Sequence, residues 1–131
     1  MKRVCIDTPA VVWHLSKPRR LGRRAASILR DADAGRATVL IPAIVGVELS
    51  LLRQRGRDTI GVPQLEALMA AYPGFVLQPL DLAQVKEFAR LDTVRDPFDR
   101  MVMAAARAAG APLVTADETI HESALVEVVW D

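Results

Sequence analysis

Four acids in this chain stand where carboxylates could act together. Asp7 closes the short apolar run Val4-Cys5-Ile6, and Glu48 is the single acid in the apolar stretch from Ile41 to Leu52. Asp99 follows Asp96 by three residues in Arg95-Asp96-Pro97-Phe98-Asp99-Arg100, and Asp117 closes Leu113-Val114-Thr115-Ala116. Two carboxylates ~4 Å apart repel by about 4 kcal/mol at an effective dielectric near 20. Four share a small site in ionised form only beside a compensating cation. No His or Cys accompanies them, so the donor set is all oxygen, which suits Mg²⁺ or Mn²⁺ rather than zinc. His14 and His121 are too isolated for a zinc site. Such a cation, beside a basic surface, suits hydrolysis of a phosphodiester: it generates hydroxide and stabilises the negatively charged transition state. Each acid also has a structural role open to it. Asp7, Asp96 and Asp117 are competent helix N-caps, and Glu48 can pair with Arg53 or Arg55.

The elements that must position these acids follow from local pattern. Lys2 to Ile6 reads as a strand. A helix capped by Asp7 or Thr8 then runs to about Leu15, and a second from about Arg20 to Ala34 ends at Gly35. Ala37 to Ile41 is a buried strand. Pro42 opens a helix to about Gln54, with Ile44, Val47, Leu49, Leu51 and Leu52 available to the core. A loop over Gly56 to Pro63 precedes a helix over Gln64 to Ala71, and a strand over Phe75 to Leu77. Asp81 caps a helix through about Leu91. Asp96 and Pro97 then open a helix with an apolar stripe at Met101, Val102, Ala105, Ala108 and Ala109, closed by Gly110. Ala111 to Val114 is a strand, Glu118 to Ser123 a short helix, and Val126 to Trp130 a last strand. Strands alternating with helices predict a single α/β domain over 1–131, its central sheet mainly parallel with helices on both faces. In such a sheet strand C-termini and helix N-termini share one edge, within reach of Asp7, Glu48, Asp99 and Asp117.

Charge is unevenly distributed. Residues 1–57 hold twelve Lys/Arg against four Asp/Glu, net +8, whereas residues 58–131 carry net −7. The basic half is suited to a polyanion and the acidic half to cations. Arg19, Arg20, Arg23, Arg24, Arg53, Arg55 and Arg57 are the candidate contacts to a nucleic-acid backbone. The lone Cys5 lies in an apolar run and reads as a core thiol. No apolar run reaches membrane-span length and no signal-peptide pattern is present, so a cytoplasmic protein is expected. A Gly-rich phosphate loop, a Ser nucleophile elbow and a Cys–His pairing are all missing.

Val4-Cys5-Ile6-Asp7-Thr8, the Val47-Glu48-Leu49 helix, Arg95-Asp96-Pro97-Phe98-Asp99-Arg100 and Leu113-Val114-Thr115-Ala116-Asp117 resemble the successive motifs of the PIN domain. More narrowly, they resemble the VapC-type toxins of VapBC toxin–antitoxin pairs. The resemblance spans essentially the whole chain. It implies a Mg²⁺- or Mn²⁺-dependent endoribonuclease, usually a homodimer, inhibited by a cognate VapB-type antitoxin whose tail covers the active site. Asp7, Glu48, Asp99 and Asp117 match the family's acidic positions, catalytic and metal-holding, and Asp96 an accessory acid; Thr8 and Thr115 stand in support. One departure is visible: members close to this pattern often carry His after the Asp-Thr pair, where this chain has Pro9. Two other readings are open to the acids alone. One is a metal-dependent DNA nuclease or phosphatase, the other a non-catalytic module that binds RNA or protein.

Overall fold

The computed structural model describes residues 2–57 and 60–131. Its five strands are β1 (Lys2–Ile6), β2 (Ala37–Pro42), β3 (Phe75–Gln78), β4 (Leu113–Val114) and β5 (Val128–Val129). They form one sheet in the order β3-β2-β1-β4-β5, with every pair parallel. Parallel neighbours need crossovers, and helices supply them: α1 (Thr8–Ser16), α2 (Arg23–Asp33), α3 (Ala43–Gln54), α4 (Val62–Ala71), α5 (Leu82–Arg90), α6 (Pro97–Ala109) and α7 (Glu118–Ser123). The expected α/β architecture is therefore present. Among the described residues no helix is long and apolar enough to cross a membrane.

The central strand shows why the sheet must be covered on both sides. Val4, Cys5 and Ile6 are consecutive, so they point to alternating faces, and all three are buried. Burying a side chain such as Ile6, Ile41 or Leu113 contributes about 1.5–3 kcal/mol. Cys5 is wholly buried and its Sγ contacts Gln78 Oε1 at 3.3 Å. Burial pushes the thiol up to about 12, so it is an inert core group, as its sequence context predicts.

Local differences from the sequence reading have identifiable causes. The second helix begins at Arg23, with Gly22 as N-cap, and Pro18–Arg20 forms a separate 3₁₀ turn. Gly22 is where the end of the chain passes: a Cβ there would stand 2.3 Å from the Trp130 carbonyl oxygen, which accepts the Ala25 N–H at 3.0 Å. In α3 the buried residues are Val45 and Leu49, while Val47 is 51% exposed. Val45 lies one turn before Leu49 on the same face; Val47 lies on the opposite side. Ile44, Leu51 and Leu52 are only partly buried. The fourth helix starts at Val62, where Gln64 Oε1 accepts the Gly61 N–H at 2.9 Å, so Val62 and Pro63 leave the expected loop. Asp58 and Thr59 of that loop lie outside the described residues. The last two strands pair over only two residues each, shorter than the apolar runs that contain them.

Candidate active site

Register brings the first two acids together. Ile6 pairs with Val114 across β1 and β4, so the residues that follow, Asp7 and Thr115, leave the sheet side by side. The Asp7 N–H donates to the Val114 carbonyl at 3.2 Å. Asp7 caps α1, its Oδ1 accepting the Ala10 N–H at 3.0 Å. Thr115 is wholly buried; its hydroxyl oxygen accepts the Asp117 N–H at 3.0 Å, and its side chain hydrogen-bonds to the Asp7 carboxylate. One hydroxyl thus ties the first acid to the last.

The other acids come from helix ends and faces. Asp96 caps α6, its Oδ1 accepting the Phe98 N–H at 2.9 Å and the Asp99 N–H at 3.0 Å. Capping is thereby done by Asp96, and Asp99 in the first turn keeps its carboxylate for other use. Asp117 caps α7 by accepting the Ile120 N–H at 3.0 Å. Glu48 projects from α3, which packs on both α1 and α6. Arg100, the last residue of the Asp96–Arg100 motif, turns away. Its Nε donates to the Phe88 carbonyl at 2.8 Å and its guanidinium lies over the Phe88 ring, so it fastens α6 to α5.

Asp7, Glu48, Asp99 and Asp117 all line one cleft of about 330 Å³, with Thr8, Pro9, Trp13, Phe98, Val102 and Ala116. Asp96 borders an adjoining cleft, which shares Asp99 with the first. Burial first, then the charges of Asp99 and Asp117, raise Asp7 to about 6, against the hydrogen bonds from Thr115 and Ala10. Asp99 is likewise raised to about 6, by burial and then by Asp96, Asp117 and Glu48. Among the described residues no ion pair neutralises any of the four, and no Lys or Arg lines their cleft.

The donor set fits a hard divalent cation: four carboxyls, no nitrogen or sulfur, and like-charge repulsion that such an ion would relieve. Thr8 adds a buried hydroxyl oxygen in the same cleft that has no hydrogen-bond partner among the described residues. The carboxyls ring the cleft without closing on a point: among the described residues no three His, Cys, Asp or Glu side chains are arranged to hold a metal ion. Both histidines are engaged elsewhere, His14 with Asp33 at 3.2 Å and His121 with the Thr115 carbonyl at 2.9 Å.

The basic residues divide by position. Arg20, in the 3₁₀ turn, places its guanidinium 4.6 Å from the centre of the Trp13 ring, at the cleft wall. Arg24 instead lines a groove with Lys2 and Arg3, at the opposite edge of the sheet. Arg19, Arg23, Arg55 and Arg57 are exposed, as is Arg53, which lies beside Gly61. Sequence reasoning did not single out Trp13 and Phe98 as cleft walls. The available signal was spacing: Pro9 and Trp13 are four residues apart, on one face of the helix that Asp7 caps.

Comparison with known proteins gives the same frame. The sequence model of the family described as PIN domain matches residues 4–124. No curated protein matches the sequence closely enough to count as a relative. Among solved structures, the fold is similar to VapBC2 from Rickettsia felis bound to a DNA fragment from their promoter. That match has a TM-score of 0.71 at 17% identity and covers 98% of this chain and 99% of that one. FitAcB from Neisseria gonorrhoeae aligns with a TM-score of 0.66 at 19% identity, over 95% of each chain. A toxin–antitoxin complex from Klebsiella pneumoniae aligns with a TM-score of 0.56 at 17% identity, over 87% of this chain and 86% of that one.

Proposed function

This chain belongs to the PIN domain family, and from that premise we propose that it is a Mg²⁺- or Mn²⁺-dependent endoribonuclease, the toxin of a VapBC-type toxin–antitoxin pair. Nuclease activity is typical of the family. The observation that carries the reading is the cleft itself: four acids, two with raised pKa, none paired with a cation among the described residues. Sites built to bind charge are commonly strained in this way.

In this reading Asp7, Glu48, Asp99 and Asp117 hold the cation, with Asp96 alongside. A bound Mg²⁺ or Mn²⁺ would supply positive charge against the pentavalent transition state and make a water more acidic. The chain's own contributions are positional. Thr115 holds the Asp117 N–H and stands beside the Asp7 carboxylate, so it links two acids from different elements. Asp96 fixes the first turn of α6 and hence the direction of Asp99. Thr8 offers its free hydroxyl to the water or ligand in the cleft. Arg20 and its exposed neighbours attract the RNA backbone to the cleft mouth.

A VapB-type antitoxin and a homodimer belong to the same proposal. Their support is exposed apolar surface: Val47 on α3, Val62 on α4, and a denser run on β3 and α5 through Val76, Leu77, Leu80, Leu82 and Val85. The deciding experiment is cleavage of matched single-stranded RNA and DNA across a metal series after chelation. Mg²⁺ or Mn²⁺ restores cleavage of RNA alone, and EDTA abolishes it. Full activity in EDTA overturns the reading, and equal cleavage of DNA overturns the RNA assignment.

A further inference from the structure

Beside the acid cleft lies a smaller slot of about 160 Å³ between α1 and α3. Its walls alternate by helical turns: Thr8 with Val12 and Pro9 with Trp13 on α1, and Glu48 with Leu52 on α3. Thr8, Pro9, Trp13 and Glu48 border both cavities, so the slot opens directly onto the acids. Trp13 is half-buried and held by two neighbours. The Trp130 ring meets it edge-on, with centroids 5.8 Å apart at 61°, and Arg20 stands over it at 4.6 Å. A tryptophan braced by a second tryptophan, capped by a cation and presented beside a phosphodiester-cleaving site has the components of a base-stacking platform.

We propose that Trp13 is such a platform. The slot takes the base of the nucleotide next to the cleaved phosphate, and Arg20 meets the phosphate beyond it. This deepens the nuclease reading above and rests on it: the substrate must then be single-stranded at that position, because a paired base cannot enter. Proline at position 9 keeps this entrance apolar, on the same face as Trp13. Charge complements the assignment. Acids line the cleft that Trp13 borders and Arg20 stands over the Trp13 ring, so a backbone that passes Trp13 runs between the acid cleft and the guanidinium.

The test uses the intact protein carrying Trp130→Phe, which leaves Trp13 as the sole tryptophan of the two in the chain. The probe is a single-stranded oligoribonucleotide octamer in EDTA, with the same octamer annealed to its complement as control. The single strand quenches Trp13 emission and the duplex does not. In the otherwise unaltered protein, Trp13→Leu lowers octamer affinity and kcat/KM by about tenfold, while Trp13→Phe retains most of both. An octamer series with one abasic site moved along it finds a position where wild type loses affinity and Trp13→Leu loses none. A packing residue would not produce that non-additivity, and if Trp13→Leu fails to fold, the same abasic series read as loss of Trp13 quenching in the Trp130→Phe protein decides the question. Wild type that cleaves RNA with no sensitive abasic position, or a duplex that quenches equally, overturns the platform and leaves the nuclease standing. Wild type that neither binds nor cleaves RNA overturns both.

Discussion

Glu87 on α5 is a surface carboxyl half-covered by its partners and Asp7 at the end of β1 is a buried one, and their surroundings push them in opposite directions. Glu87 is held by two cations: Arg107 Nε reaches Oε2 and Arg90 reaches Oε1, each at 2.8 Å. Arg107 also donates to the Leu125 carbonyl at 2.7 Å, so the pair joins α5, α6 and the approach to β5. The hydrogen bond from Arg107, with the charges of both arginines, holds the Glu87 carboxyl below its ordinary range. Asp7, more deeply buried, is raised to about 6 by that burial first and then by the charges of Asp99 and Asp117. A carboxylate used to hold a fold is given its cation by the chain. In the cleft, Asp7 and Asp117 accept hydrogen bonds that fix their direction, and among the described residues no cation pairs with them or with Glu48 and Asp99, an arrangement that suits a site completed by something bound.

The sharpest way to break this contrast is through cleavage. Asp7→Asn and Asp99→Asn keep shape and, at position 7, a competent cap, so their RNA cleavage in Mg²⁺ or Mn²⁺ falls about a hundredfold or more. Glu87→Gln cleaves near the wild-type rate. Initial rates on one RNA decide it, and wild-type turnover by either Asn variant removes the functional half of the contrast.

A second effect is read in thermal unfolding in EDTA. A carboxyl raised from 3.8 to about 6 on folding binds more protons in the native state, so stability falls as pH rises from about 4 to about 6, then levels. For Asp7 the cost at neutral pH is at most about 3 kcal/mol; Asp99 is more open to water and costs less. Asp7→Asn therefore melts at or above wild type at pH 7, and that falling slope is reduced. Glu87 has the opposite sign. Its contribution is present above its unfolded pKa near 4.5 and is lost as pH falls through its lower folded value, so Glu87→Gln melts lower at pH 7. Two parallel pH profiles would mean that the two acids do not differ in kind.

Much of the site was legible because its signals are local. An Asp before a helical Pro is a cap, and an Asp closing an apolar run marks a strand end, so Asp7, Asp96, Asp99 and Asp117 were placed correctly along the chain. What brings them together was supplied by the alternation of elements and by family resemblance. The β3-β2-β1-β4-β5 order depends on contacts far apart in sequence and was not read. The run from Ile41 to Leu52 is apolar on nearly every face, so periodicity could not prefer Val45 to Val47 for the core. Arg20 reads as continuous with Arg23 and Arg24, because the residue that ends that continuity by crowding Gly22 is Trp130, more than a hundred positions away.

That split gives the smallest of the expected effects. Arg20→Ala, beside the cleft, lowers the salt slope of RNA binding by about one, whereas Arg24→Ala, at the far edge of the sheet, leaves it unchanged. Equal slopes for the two would place the RNA across the whole basic half.

Gly22 does not line the acid cleft, yet heredity would treat it as part of the site. Any side chain there collides with the Trp130 backbone, which must then withdraw from the Ala25 N–H and carry its ring away from Trp13. A random-mutation screen scored only by cleavage would collect alleles at this position beside those at Asp7 and Asp99. Gly22→Ala, the mildest intrusion, is the natural starting point for a temperature-sensitive allele, one whose wall is in place when cool and gone when warm.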